Sequence, residues 1–238
     1  MSHVFAHRGS SGTYPENTML AFKKAEKTGC YGLEFDVHMT KDREVVVIHD
    51  ETVNRTTNGR GAIKDLTLDE IKKLYIKSGW LRKEKIPSLD EVLEWAKSNE
   101  MLINIELKND KIFYEGLEEL VVQKVANHQL QDRIIYSTFN HESVKILKKI
   151  TSCEVAALYS RKGINPVLLA QSLNADAIHA NFRVMTPQLM RDCQQHGIPV
   201  RLYTLNKPAL IQKWLNEGLS GVITDYPELA QKLKDKKE

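Results

Sequence analysis

The sequence predicts a (β/α)8 barrel. Short β-branched runs alternate with amphipathic helical stretches along the chain, and they make eight strand–helix units once one strand is set aside as an arm. The histidines and charged residues of the apolar runs also collect at the same ends of several strands, where barrel enzymes keep their sites. At 238 residues the chain is near the usual length of such a barrel. A chain of this size buries roughly 70% of its unfolded surface, so the core needs no disulfide or structural metal.

The strand candidates in order are HVFAH (3–7), YGLEFDVHM (31–39), EVVVIHD (44–50), MLINIELK (101–108), RIIYSTF (133–139), EVAALYS (154–160), DAIHA (176–180), PVRLYTL (199–205) and GVITD (221–225). The polar turn MTKDRE suits an antiparallel return, which makes EVVVIHD an arm on the second strand. The first helix is expected in NTMLAFKKAEKTG, with Gly29 as its stop. A second starts at Ser88, where Glu91 completes a capping signal that satisfies free backbone N–H groups. Further helices are expected over 112–128, 141–150, 165–173, 186–196, 207–217 and 226–236. Residues 51–87 break the alternation with a Gly-rich turn, one short helix and a basic stretch, and read as an insertion in one barrel domain spanning 1–238. A doubly wound sheet is the alternative, but HRGSSG after the first strand has neither GxGxxG nor a P-loop lysine.

Composition narrows the function classes. A net charge of +3 argues against a nucleic-acid partner, and the basic KLKDKKE end reads as a solvated helix terminus. Cys30, Cys153 and Cys193 are widely spaced and form no metal pattern, so they are expected to be free thiols in a reducing compartment. No apolar run approaches the ~20 residues needed to cross a bilayer, and the start MSHVFAHRGSSG has no signal-peptide pattern. The expectation is a cytoplasmic protein without stable membrane insertion.

His7 and Arg8 close the first strand, and His49 and Asp50 close the arm. Glu34 and Asp36 stand two apart in LEFDV, as do Glu106 and Lys108 in INIELK, so each pair shares one face of its strand. Singly, each has a plain structural reading: a hydrogen-bonding histidine, an exposed edge, a surface ion pair. Both strands, however, are otherwise apolar, as in parallel sheets buried on both faces. Buried carboxylates are costly unless paired or bound to a cation. Glu34, Asp36 and Glu106 therefore point to a divalent metal, and an all-oxygen donor set favours Mg2+ or Ca2+ over zinc. With Arg8 and Lys108 as anion holders and His7 and His49 for proton transfer, the pattern suits phosphoryl chemistry.

These residues also carry a family resemblance. HRG…PENT (7–18), LEFDVHMTKD (33–42), VVIHD (46–50), INIELK (103–108), STF (137–139), LYTLN (202–206) and GVITDYP (221–227) follow one another as in the bacterial glycerophosphodiester phosphodiesterases, which the chain resembles over nearly its whole length. The resemblance implies that His7 and His49 form an acid–base pair, that Glu34, Asp36 and Glu106 hold the metal, and that Arg8 and Lys108 meet the phosphate. It gives Glu16 and Asn17 a supporting role and puts Phe139 and Tyr203 beside the glycerol or leaving group. Relatives often carry Trp where this chain has Tyr203, so the alcohol side of the pocket is expected to differ. His38 reads as incidental, His179 as a candidate for touching substrate, and His3, His128, His141 and His196 as surface residues. The implied reaction takes a glycerophosphodiester and water to glycerol 3-phosphate and an alcohol such as choline or ethanolamine. The rival readings are a phospholipase D acting on lysolipids and an inactive barrel that binds phosphorylated ligands. The second expects a lost motif position, and none is lost.

Overall fold

The computed structural model describes residues 2–77 and 84–236. Part of the basic stretch expected before Pro87, residues 78–83, and the last two residues of KLKDKKE lie outside them. The strands are β1 (His3–His7), β2 (Gly32–Met39), β3 (Val45–Val47), β4 (Leu102–Leu107), β5 (Ile134–Thr138), β6 (Glu154–Tyr159), β7 (Ala177–Asn181), β8 (Val200–Tyr203) and β9 (Gly221–Thr224). Eight of these are parallel and run in the order β1-β2-β4-β5-β6-β7-β8-β9; β9 pairs back onto β1, so the barrel is closed. No helix among the described residues is long and apolar enough to cross a membrane.

The helices that cover the barrel are α1 (Met19–Glu26), α3 (Leu89–Ala96), α4 (Leu117–Asn127), α5 (His141–Ile150), α6 (Pro166–Leu173), α7 (Pro187–Gln195), α8 (Pro208–Asn216) and α9 (Pro227–Asp235), while α2 (Leu68–Lys73) belongs to the insertion. Their starts follow local chemistry. Ser88 accepts from the Glu91 backbone while the Glu91 side chain returns to the Ser88 N–H, completing the capping box expected from the sequence. Asn140, Asn165 and Thr186 cap α5, α6 and α7 through their side chains. Each helix then turns an apolar face onto the outside of the barrel.

Every residue of β2 is buried, which is why its two carboxylates are conspicuous. β3 pairs antiparallel with β2, Val37 opposite Val47, through the polar turn expected to return the chain. That turn closes when Thr40 N donates to Glu44 O at 2.8 Å, with Arg43 in the left-handed region at φ 61°. The arm is shorter than 44–50: the strand is Val45–Val47, Ile48 N makes one last bond to Asp36 O, and His49 and Asp50 follow beyond the strand. α4 likewise begins at Leu117, not near residue 112. The preceding loop ends on Gly116 at φ 74° and buries Tyr114 against His38 of β2.

The insertion has an apolar cluster of its own. Val46 and Ile48 meet Val53, Ile63, Ile71, Ile76 and Ile86, whereas Val45 and Val47 join the cluster between barrel and helices. The arm thus serves two cores by strand alternation. Cys30, Cys153 and Cys193 are free and buried.

Candidate active site

The C-terminal ends of the strands bring the expected residues together. Period-two spacing turns Glu34 and Asp36 into the barrel from β2, and register sets Asp36 opposite Glu106 of β4. One carboxylate oxygen from each of Glu34, Asp36 and Glu106 lies within 4.8 Å of the others. Opposed oxygens around a calcium ion lie about 4.6–5.2 Å apart and around magnesium about 4.0–4.2 Å, so the cluster has the size for one such cation. The Oε1 of Glu34 is buried without a partner, as expected of a ligand atom whose ion is a separate component. Burial, and then the charge of Asp36, push the Glu34 carboxyl up to about 8. Burial acts on Asp36 too, but Arg8 and Lys108 overcome it and hold that carboxyl well below the usual range. Burial raises Glu106 against the pull of Lys108.

Two cations flank the cluster. Lys108 Nζ lies 2.8 Å from Glu106 Oε1 and 3.8 Å from Asp36 Oδ1. Arg8 Nε lies 3.2 Å from Asp36 Oδ2, and Arg8 Nη1 donates to Glu16 Oε1 at 3.1 Å. The HRG turn explains this placement. Arg8 is left-handed at φ 55°, and its backbone N–H meets both the carbonyl and the carboxylate of Glu34. Gly9 follows at φ 83°, where a Cβ would come 2.7 Å from the Ala21 backbone. Asn17, also left-handed at φ 54°, donates from Nδ2 to Asp36 Oδ2 at 2.9 Å. Glu16 thus holds Arg8, and Asn17 holds the Asp36 carboxylate directly.

Each strand-end histidine is held by a carboxylate. His7 Nδ1 lies 2.6 Å from Asp225 Oδ1, and His49 Nδ1 lies 2.8 Å from Asp50 Oδ1. An ionised carboxylate only accepts, so Nδ1 carries the proton in both rings and Nε2 is left for chemistry. Burial alone would lower His7, but the charge of Glu34, whose Oε2 lies 4.0 Å from His7 Nε2, and the bond to Asp225 raise it above the ordinary value. Asp225 ends β9 and also accepts from Ser11 and Asn206. It stood in the GVITDYP motif without a role; its position at a strand end was the available signal.

Arg55, from the insertion, had no signal in the sequence. It makes paired contacts of 2.7–2.9 Å to both Asp50 and Glu16, tying the loop that bears His49 to the loop after β1. Arg55→Ala is expected to lower turnover about tenfold by loosening Asp50 behind His49. Because the pair network is half exposed, the stability loss should stay within ~1 kcal/mol. Steady-state kinetics with a melting curve checks both.

His38 is not incidental. It is fully buried, and its Nε2 lies 3.0 Å from the carbonyl oxygen of His49. That oxygen only accepts, so Nε2 donates and Nδ1 accepts from Tyr114 Oη at 3.0 Å. Phe139 and Tyr203 meet edge to face with centroids 6.2 Å apart, and Lys108 Nζ stands 5.8 Å from the Phe139 ring centre. His7, Arg8, Glu34, His49, Glu106, Lys108, Phe139 and Tyr203 all line one cavity of about 250 Å³. His141 is half-buried and lines an adjoining groove of about 580 Å³ with Lys108 and Phe139. A larger groove of about 640 Å³ runs past Tyr14, Lys24 and Tyr226 and contains none of the three clustered carboxylates. His3 stacks on Tyr31 at 3.7 Å on the opposite side of the barrel, while His128 and His196 bond to carbonyls of their own helix ends.

His179 also lines the cavity from β7 and is fully buried. Burial, and then the charge of Arg201, lower it well below the ordinary 6.5 and keep it neutral. Its unfolded form takes up a proton below that value, and its folded form does not. Stability therefore falls as pH drops below about 6.5, by at most ~1.4 kcal/mol per pH unit from this group. Melting temperature followed from pH 7.5 to 5 should fall less steeply in His179→Phe than in the wild type.

A closed (β/α)8 barrel whose mouth gathers carboxylates, cations and two carboxylate-held histidines has the layout of a barrel enzyme for an anionic substrate. The model of the glycerophosphoryl diester phosphodiesterase family matches residues 7–229. A glycerophosphodiester phosphodiesterase of Caldanaerobacter subterraneus is 40% identical over 229 residues, 94% of each chain. The solved structure of an Agrobacterium tumefaciens protein assigned to the same family superimposes with a TM-score of 0.93 at 27% identity, covering 100% of this chain and 98% of that one. An Oleispira antarctica phosphodiesterase, solved with the product sn-glycerol-3-phosphate, aligns with a TM-score of 0.83 at 30% identity over 99% and 97% of the two chains. The chain belongs to the glycerophosphoryl diester phosphodiesterase family.

Proposed function

We propose that this chain, working over 1–238 as one barrel domain with 51–87 as an insertion, hydrolyses glycerophosphodiesters such as glycerophosphocholine or glycerophosphoethanolamine to glycerol 3-phosphate and an alcohol. The observation that carries the reading is the single cavity lined by both histidines, Arg8, Lys108, Glu34 and Glu106, with Asp36 behind them. Family membership and the product bound in the Oleispira relative support the substrate class.

Glu34, Asp36 and Glu106 would hold the divalent ion, Mg2+ or Ca2+. When bound, it would neutralise charge on the phosphate oxygens. Arg8 and Lys108 orient the phosphodiester from the two sides of the carboxylate cluster. One histidine Nε2 removes a proton from the attacking hydroxyl and the other donates one to the departing alcohol. Asp225 and Asp50 fix the two rings and stabilise the imidazolium each can become.

The attacking group is the free 2-hydroxyl of the glycerol, which closes on phosphorus as the P–O bond to the alcohol breaks. Water then opens the cyclic phosphate. A glycerophosphocholine analogue lacking the 2-hydroxyl is therefore expected to resist hydrolysis. Normal turnover of that analogue would eliminate the route. Comparing glycerophosphocholine with lysophosphatidylcholine tests the substrate class; faster cleavage of the lysolipid would reassign it.

A further inference from the structure

We propose that His179 and Asn104 form a hydroxyl-binding subsite that holds the terminal hydroxyl of the glycerol unit and selects glycerol phosphates over deoxygenated alkyl phosphates. This inference rests on the function proposed above and gives a role there to His179 and Asn104, which that reading leaves without one. Two buried atoms carry it. His179 Nδ1 and Asn104 Oδ1 have no hydrogen-bond partner, both residues are almost wholly inaccessible, and both line the cavity shared by the histidines and the carboxylates. Buried polar groups are nearly always paired, so two orphans in one cavity mark a place where a ligand completes the bonding.

The bonding around His179 fixes what the ligand must offer. Arg201 Nη1 lies 3.1 Å from His179 Nε2, and a guanidinium only donates, so Nε2 is the acceptor. The ring is neutral, so its one proton sits on Nδ1, the buried nitrogen without a partner. Arg201 is itself held by Glu154, which fixes the ring from behind. Asn104 Oδ1 offers a lone pair. An unpaired donor and an unpaired acceptor on two residues lining one cavity match a hydroxyl, which accepts and donates at once. Among the groups of a glycerophosphodiester, Arg8 and Lys108 take the phosphate, and the 2-hydroxyl must stay beside phosphorus to attack it. On the glycerol side, the terminal hydroxyl remains without a partner. A site built this way discriminates strongly, because a ligand lacking the hydroxyl leaves both protein groups unsatisfied.

The test is calorimetric titration of the metal-loaded protein with sn-glycerol 3-phosphate and with 2-hydroxypropyl phosphate, which lacks only the terminal hydroxyl. Turnover of glycerophosphocholine is measured alongside. The wild type is expected to bind glycerol 3-phosphate at least tenfold more tightly. His179→Phe and Asn104→Leu should each shrink that preference below threefold by weakening glycerol 3-phosphate alone, and either variant suffices if the other fails to fold. An active wild type that does not discriminate would overturn the subsite. So would variants in which both ligands weaken equally, since that marks a structural or water-holding role. A wild type that hydrolyses no glycerophosphodiester would instead defeat the functional reading, and the subsite with it.

Discussion

Replacing His7 or His49 by alanine is expected to lower kcat on glycerophosphocholine at least a thousandfold while the protein still melts cooperatively. General acid–base groups typically contribute about 10²–10⁴ each. Both rings here are backed by a carboxylate, and neither belongs to any of the three apolar clusters among the described residues. Losing His7 also leaves Asp225 without its main partner, yet Ser11 and Asn206 still satisfy that carboxylate. The fold should therefore survive. Asp225→Asn and Asp50→Asn are expected to act more weakly, since they leave the ring but disturb its tautomer and orientation. A loss below tenfold in either alanine variant would remove that histidine from the mechanism.

Chelation is expected to have an effect of similar size. Treatment with EDTA should abolish hydrolysis, and Mg2+ or Ca2+ added back should restore it. The carboxylate cluster explains why stability and activity should part company here. Without an ion, Glu34, Asp36 and Glu106 are buried within 4.8 Å of one another, and burial penalises each charge. Glu34→Gln keeps the shape and replaces a carboxyl that, pushed up to about 8, is mostly uncharged near neutral pH without an ion but must ionise to hold one. In EDTA it is expected to melt at or above the wild type, and in Ca2+ below it, with activity lost in both. Activity that survives exhaustive chelation would contradict a metal-assisted reaction, and a variant that melts well below the wild type in EDTA would show that the Glu34 carboxyl, through its bond from the Arg8 N–H, serves the fold more than an ion.

Much of the site was legible because charge is conspicuous in an apolar strand. Glu34 and Asp36 inside LEFDV, and Glu106 in INIELK, stand out since neighbours on both sides are buried. Strand bounds were legible for the same reason, and β1 runs from His3 to His7 as the sequence implied. Less was legible where tertiary hydrogen bonds decide. Arg55 sits in a polar loop without periodicity, and only folding carries it to Glu16 and Asp50. Asn104 and His38 are polar residues in strands whose local pattern fits core and site alike; their value lies in which partners they meet or lack. The start of α4 was misplaced because Tyr114 is drawn to His38 of β2, a contact across 76 positions that helical periodicity cannot register.

The most direct measurement is anomalous diffraction from crystals loaded with Ca2+ or Mn2+, in the presence of glycerol 3-phosphate. One peak is expected within about 2.6 Å of an oxygen from each of Glu34, Asp36 and Glu106, with the phosphate between the His7 and His49 rings. A peak away from those three carboxylates, or a phosphate bound beyond the reach of either ring, would contradict the assignment of this mouth of the barrel as the catalytic site.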